Sequence, residues 1–133
     1  MTPGYELESA LVTDCRLAAN SMHVKLEVAG QRKARGSGSD KGLPDGFLCV
    51  AGWMHPCEFK RPKTQDATAG RFSYDQLVAA QRRAEQGVYT YAPRLLPEFV
   101  SLVNWSRRHA PTKAPQRCPA CPVVPVEMRR AED

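Results

Sequence analysis

Three segments of the chain carry apolar residues at helical spacing. In residues 5–19 the apolar positions recur every three or four residues, and the same period returns in residues 74–86 and 96–108. Ser73 stands where a helix N-cap accepts a main-chain hydrogen bond, and Gly87 stands where a helix commonly ends. The pattern therefore predicts helices over these three ranges.

Four other segments are typical of β-strands. Residues 22–28 alternate strictly between apolar and polar side chains, which indicates a strand with one buried face. Residues 47–51 form a short continuous apolar run, residues 57–60 follow it as the next candidate, and residues 88–92 favour a strand by composition. Residues 53–56, which include a proline, are predicted to be an exposed turn that joins two of these strands into a hairpin.

The order of these elements is helix, three strands, helix, strand and helix, which predicts an α/β fold. A helix between the third and fourth strands allows those two strands to pair in parallel. We expect one domain over residues 1–109, in which the polar, basic and glycine-rich residues 30–42 form a loop. Residues 110–133 are rich in proline and are expected to form a tail.

Composition narrows the class of protein. The 133 residues include 19 Lys and Arg against 14 Asp and Glu, and the basic residues occur in short groups, which favours a polyanionic partner. No apolar stretch reaches the roughly 18 residues that a membrane helix needs, and the first residues do not resemble a secretory signal. The five cysteines are odd in number, which argues against a disulfide framework. We therefore expect a cytoplasmic protein that makes no contact with membranes.

The last two cysteines have the spacing of half a zinc site. Cys118 and Cys121 form a CxxC pair, and His109 is a candidate third ligand. Because no second pair accompanies them, two incidental thiols are the simpler interpretation.

Asp45, Glu58 and Lys60 lie at the ends of the predicted hairpin strands. Glu58 and Lys60 are two positions apart, so their side chains leave the same face of a strand. If the strands pair, the carboxylate of Asp45 can approach that of Glu58, and a divalent cation such as Mg²⁺ would relieve the repulsion between the two. The alternative interpretation is an exposed salt bridge between Glu58 and Lys60, with Asp45 as a turn residue.

The order of three short motifs resembles a known family. Gly42–Asp45 leads into an apolar strand, Glu58–Pro62 follows on the next strand, and Ser73–Gln76 opens the following helix. Together they resemble the PD-(D/E)XK nuclease superfamily and, within it, the small stand-alone VRR-NUC domains of phages and bacteria. The resemblance covers about residues 6–92 and implies a restriction-endonuclease-like αβββαβ core, with a mixed sheet flanked by helices.

The resemblance also implies roles for individual residues. Asp45 and Glu58 would be metal ligands, Lys60 the catalytic lysine and Gln76 a supporting residue of the site. The carbonyl group of Phe59 is a further candidate ligand. A glutamate of the first helix would complete the metal site, either Glu8 or, as the second choice, Glu6. Phosphate contacts would come from Arg32, Lys33, Arg35, Lys63 and Arg71.

The implied activity is Mg²⁺- or Mn²⁺-dependent hydrolysis of phosphodiester bonds in DNA. The stand-alone members of the family suggest a homodimer that cuts branched DNA such as Holliday junctions, in the cytosol of a bacterial host if the chain is encoded by a phage. An alternative from another class is a catalytically inactive nucleic-acid-binding module that acts in a larger assembly, with the tail cysteines as a structural zinc clip. The two hypotheses differ in one test: replacing Asp45 or Lys60 should abolish cleavage by a nuclease but leave DNA binding intact.

Overall fold

A computed structural model describes residues 8–28, 42–63 and 69–127. Within these ranges the helices are α1 (Glu8–Ser21), α2 (Tyr74–Glu85) and α3 (Leu96–Arg108). The helical spacing of the sequence is thus confirmed. The alternative ligand Glu6 and most of the basic loop, including Arg32, Lys33 and Arg35, lie outside the described residues.

Helix α2 begins at the predicted cap. The Ser73 hydroxyl accepts a hydrogen bond from the Gln76 amide at 3.1 Å, and the Gln76 side chain accepts one from the Ser73 amide at 2.9 Å. This reciprocal capping box satisfies two amides that have no partner inside the helix. At the other end, Gly87 adopts a φ of 83°, a conformation that glycine takes at little cost.

The sheet is antiparallel in the order β1 (Lys25–Val28), β2 (Gly46–Val50) and β3 (Trp53–Cys57). A hairpin was expected here and is present, but the prediction that residues 53–56 form its turn is wrong. Val50 pairs with Trp53, so Ala51 and Gly52 alone make the turn, both with positive φ. A two-residue turn of this kind continues the twist of the strands. It moves the next strand four residues earlier than predicted.

His55 is buried because it lies within β3 and not in a turn. Its side chain is only 4% exposed, and its Nε2 lies 2.8 Å from the Ser106 hydroxyl oxygen on α3. The ring stacks on Trp53 and meets Tyr91 edge-on. Residues 53–56, expected to form an exposed turn, therefore make up most of β3, and His55 contacts α3.

The strands predicted at 57–60 and 88–92 are not regular strands. β3 ends at Cys57, and Tyr91 forms an isolated parallel bridge with it, through hydrogen bonds from the Tyr91 amide to the Pro56 carbonyl and from the Glu58 amide to the Tyr91 carbonyl. The next bond of a regular ladder is missing because Pro93 has no N–H to donate, although the Lys60 amide still donates to the Pro93 carbonyl at 3.4 Å. The parallel direction agrees with the predicted connection through α2.

The proline-rich segment packs against this same stretch. Val123 forms an antiparallel bridge with Tyr91, and the Val124 amide donates to the Thr90 carbonyl. Cys118, Cys121 and Val124 are buried. The described part of the expected tail thus lies against the domain, and the boundary at residue 109 stays a prediction.

One buried cluster joins the sheet to α1 and α3. Its largest fully buried apolar members include Leu11 of α1, Leu48 of β2 and Phe99 of α3. Phe59 points into it and meets Phe99, with ring centroids 6.5 Å apart. The architecture of the described residues is therefore mixed α/β, with an antiparallel three-stranded sheet and three helices. None of the described helices has the length and apolar character needed to cross a membrane.

Candidate active site

The register of the β2–β3 hairpin brings Asp45 and Glu58 together. Gly46 pairs with Cys57, so the two acidic residues stand opposite each other one step beyond the last pair. The Asp45 amide donates to Glu58 Oε1 at 3.0 Å, and the Phe59 amide donates to Asp45 Oδ2 at 2.9 Å. Each carboxylate is thereby held by a main-chain N–H from the opposite strand end.

Gly46, directly after Asp45, allows β1 to lie close to the start of β2. A Cβ at that position would lie 2.4 Å from the Glu27 carbonyl oxygen of β1, which is shorter than any tolerable contact. Only glycine therefore fits at this first position of β2 without moving β1 away.

Glu58 is a fully buried carboxyl group with one oxygen that has no partner. Its Oε2 forms no hydrogen bond with the described residues. Burial, and secondarily the charge of Asp45, raise its pKa from 4.5 to about 7, although the Asp45 N–H and the charges of Lys60 and Arg83 oppose the rise. An unsatisfied buried carboxylate is costly, so this group is expected to have a cationic or hydrogen-bonding partner in the working protein.

Lys60 connects this carboxylate pair to α1. Its Nζ lies 3.9 Å from Glu8 Oε1, and its side chain is mostly buried. The Nζ also lies 5.7 Å from the centre of the Phe72 ring. A Cβ on Gly70 would come within 3.4 Å of Lys60 and 3.3 Å of Glu8 Oε1, so a glycine at this position leaves room for both side chains. The first helix thus supplies a third carboxylate next to Lys60.

These residues fit a hard divalent cation in part. The described residues contain no preformed group of three or more His, Cys, Asp or Glu side chains. Mg²⁺ needs only one or two carboxylates, because water and other oxygens fill its remaining positions. Asp45 and Glu58 supply such a pair, and the unpartnered Glu58 Oε2 is an oxygen available to a cation. Glu8 pairs with Lys60 through its Oε1 in this arrangement, which leaves its second carboxylate oxygen for a cation.

Two predicted site residues have other described contacts. The side-chain oxygen of Gln76 is used by the capping box of α2 rather than by Asp45, Glu58 or Lys60. The Phe59 side chain lies in the core, while its amide holds Asp45. Of the predicted phosphate contacts, Lys63 and Arg71 are exposed and therefore accessible to a polyanion.

Arg83 is the residue of this region that the sequence reasoning missed. Its guanidinium donates to the Gly42 carbonyl at 2.6 Å and to the Thr90 hydroxyl at 3.0 Å, and its charge acts on Glu58. It therefore joins α2 to the segment before Asp45 and to the segment before Tyr91. The sequence contained one indication of this role: Arg83 lies three residues after Ala80, so it shares the inward face of α2 with that buried residue.

The described residues give no support to a zinc site at the CxxC pair. Cys118 and Cys121 are free and buried, and burial raises the pKa of the Cys121 thiol, which opposes the thiolate form that zinc binds. The His109 ring is 2.9 Å from the Trp105 carbonyl oxygen and stacks on the Trp105 ring.

Comparison with protein-family models, curated proteins and solved structures finds no match to this chain. The resemblance to the PD-(D/E)XK superfamily therefore stays a hypothesis, and the support for it is the arrangement of Asp45, Glu58 and Lys60.

Proposed function

We propose that the protein is a metal-dependent endonuclease that hydrolyses phosphodiester bonds in DNA, with a preference for branched DNA such as Holliday junctions, and that it acts as a homodimer. One observation carries the proposal. The carboxylates of Asp45 and Glu58 each accept a hydrogen bond from a main-chain N–H of the opposite strand end, and the mostly buried Lys60 lies near them. One oxygen of the buried Glu58 carboxylate has no hydrogen-bond partner among the described residues.

The arrangement favours catalysis over a structural salt bridge. If Glu58 existed only to neutralise Lys60, the two would be expected to pair directly. Instead the described ion pair of Lys60 is with Glu8, and Glu58 bonds to the amide of Asp45. An acidic pair that costs stability when ionised is typical of a site that binds a cation or moves a proton.

Asp45 and Glu58 would hold Mg²⁺ or Mn²⁺, with the Phe59 carbonyl group as a candidate further ligand. Such an ion supplies Lewis-acid stabilisation of the phosphate charge and activates water at neutral pH. Lys60 contributes a positive charge beside the reacting phosphate, where charge builds in the transition state. Phosphates on either side would be contacted by Arg32, Lys33, Arg35, Lys63 and Arg71. Two such sites in a dimer suit the two-fold symmetry of a four-way junction.

The test is cleavage of labelled four-way junction, flap and linear duplex DNA with Mg²⁺, Mn²⁺ or EDTA. We expect metal-dependent cutting that Asp45→Asn abolishes, and that Lys60→Ala lowers by about 10²- to 10³-fold, the usual loss when one charge-stabilising group is removed. Lys25→Ala removes an exposed lysine of β1 and serves as the matched control. Sedimentation of the free protein and of its junction complex measures the oligomeric state.

Tight, metal-independent DNA binding with no cutting of any substrate would contradict the nuclease and support a binding module in a larger assembly. Cutting that survives Asp45→Asn would place the active site elsewhere.

A further inference from the structure

A shallow, open cavity of about 450 Å³ lies close to Lys60. Here it is called the Phe72 cavity. Its lining residues come from the segment before α2, from α2 itself and from the segment before α3: Ala69, Gly70, Arg71, Phe72, Leu77 and Arg94. The volume lies within the range of ordinary small-molecule sites.

Two residues that line the cavity lie next to Lys60 of the candidate active site. Gly70 lies against the side chains of Lys60 and Glu8, and the Phe72 ring lies 5.7 Å from Lys60 Nζ. A ligand in the cavity would therefore occupy the position next to whatever binds at Lys60.

Arg94 gives the cavity a fixed positive charge. Its Nη1 donates to the carbonyl oxygens of Arg61 at 2.8 Å and Gly70 at 2.9 Å, and its guanidinium carbon lies 5.6 Å from the centre of the Phe72 ring. These carbonyl groups orient the guanidinium, which forms no ion pair with the described residues, although the Glu98 carboxylate accepts a hydrogen bond from the Arg94 main-chain amide at 2.8 Å. The other N–H groups of the fork remain for an anion, and a planar fork of this kind matches the oxygens of a phosphate. Arg71 adds a second, exposed cation at the rim.

The remaining wall is apolar. Phe72 and Ala69 are half-buried, and Leu77 is 37% exposed although it is a large hydrophobic residue. A site that joins an oriented guanidinium to an aromatic and aliphatic wall has the two chemistries of a nucleotide, which are an anionic phosphate and a flat apolar base.

We propose that the Phe72 cavity binds one unpaired nucleotide of a DNA strand, next to the phosphate that lies at Lys60. Its phosphate contacts Arg94, and its base lies against Phe72 and Leu77. A base inside a duplex is stacked and paired, so entering such a cavity would cost the free energy of unstacking and unpairing it. The cavity would thus be the element that selects branched or frayed DNA, and this inference rests on the proposed function.

The test is binding without cleavage. Fluorescence anisotropy in EDTA measures the affinity of the full chain for a labelled duplex with a single-stranded thymidine arm and for the same duplex with blunt ends. Arg94→Gln removes the charge but keeps a donor for the two carbonyl groups. Phe72→Leu keeps an apolar side chain and serves as the second variant if the first does not fold. Arg108→Gln, an exposed arginine at the end of α3, is the matched control.

We expect either cavity variant to weaken binding of the armed duplex by about tenfold, within the range for one lost base contact. Blunt duplex should change less than twofold, and Arg108→Gln should affect both DNAs equally. Equal losses on armed and blunt DNA would overturn the proposal, since Arg94 would then be a general phosphate contact. Unchanged binding of the armed duplex would also overturn it.

Competition with thymidine monophosphate identifies the source of the nucleotide. Displacement only at concentrations far above that of an unlabelled armed duplex supports a site for a strand, whereas tighter binding of the free nucleotide would show a metabolite site and refute the proposal. Because no metal is present, this result does not depend on cutting. Arm-specific binding in a protein that never cuts would retain the cavity and reject the nuclease.

Discussion

Replacing Glu58 by glutamine should stabilise the metal-free protein at alkaline pH. The side chain is completely buried, and burial together with the Asp45 charge raises its pKa to about 7. Above that pH the folded protein must carry a buried, partly unpartnered carboxylate. Glutamine keeps the oxygen that accepts from the Asp45 amide and removes the charge.

The expected magnitude comes from the two pKa values. Between pH 4.5 and 7 the folded protein holds a proton on Glu58 that the unfolded chain has released, so the contribution of Glu58 to the free energy of unfolding falls as pH rises through this window. The difference in pKa sets an upper bound of about 3 kcal/mol for this loss once pH is above 7. The glutamine variant should lack this contribution at every pH.

Urea unfolding followed by tryptophan fluorescence in EDTA, from pH 4 to 8.5, measures the effect. The quantity to compare is the difference between Glu58→Gln and wild type, because other groups titrate in the same range. It should be near zero at the acid end and grow to about 2–3 kcal/mol in favour of the variant at pH 8. Glu27→Gln, on the exposed face of β1, should show no such growth.

A difference that does not change with pH, or a variant less stable than wild type at pH 8, would refute the reasoning that burial raises the pKa of Glu58. A second arm adds Mg²⁺ at pH 8. Wild type should gain stability with metal concentration by mass action, and Glu58→Gln should gain much less, since it lacks one of the proposed ligands.

Three further predictions concern the fold. Burial lowers the pKa of His55 to about 4, so the contribution of His55 to the free energy of unfolding should fall as pH drops from 6.5 to 4, opposite in sign to that of Glu58. In urea titrations the stability of wild type relative to His55→Phe should therefore decrease over this range, whereas its stability relative to the exposed variant His23→Asn should stay constant. Ser73→Ala should cost about 1 kcal/mol by loss of the capping box, and unchanged stability would show that the cap is dispensable. Ala51 has a φ of 51°, so Ala51→Gly should raise the melting temperature by relieving a cost of about 1 kcal/mol, and a lower melting temperature would contradict the turn geometry.

Local patterns were sufficient to predict the helices. The apolar period in each segment predicts a helix because a helix that buries one face must repeat every 3.6 residues. The Ser73 cap could be recognised from sequence for the same reason, since its partners are only three residues away. For α3 the predicted bounds agree with the observed Leu96–Arg108.

The position of the hairpin turn was not visible in the local pattern. Ala51 has a side chain that disfavours positive φ, and Pro56 suggests a turn more strongly than it suggests a strand. The strand accepts Pro56 because its carbonyl group faces Tyr91, so the missing N–H lies on that side and not on the side of β2. A non-local partner therefore decided both the register and the burial of His55.

For the candidate site, too, the sequence revealed one part and the tertiary structure another. The residue types and order of Asp45, Glu58 and Lys60 could be read from the sequence, and the strand period placed Glu58 and Lys60 on one face. Only the tertiary structure showed that Glu58 is held by the Asp45 amide and that Lys60 pairs with Glu8.

The basic residues depended most on the tertiary structure. From the sequence, Arg83 and Arg94 are two arginines among many, and each could be a solvated surface charge. Their carbonyl partners at Gly42, Arg61 and Gly70 lie 24 to 41 positions away along the chain. Spacing along a helix or strand reports which side chains share a face, but it carries no information about contacts between distant segments. The sequence by itself thus determined the helices and the acidic and basic groups of the candidate site. The packing of distant segments decided where the third strand begins, and which of those groups are buried, which are paired and which remain free to act.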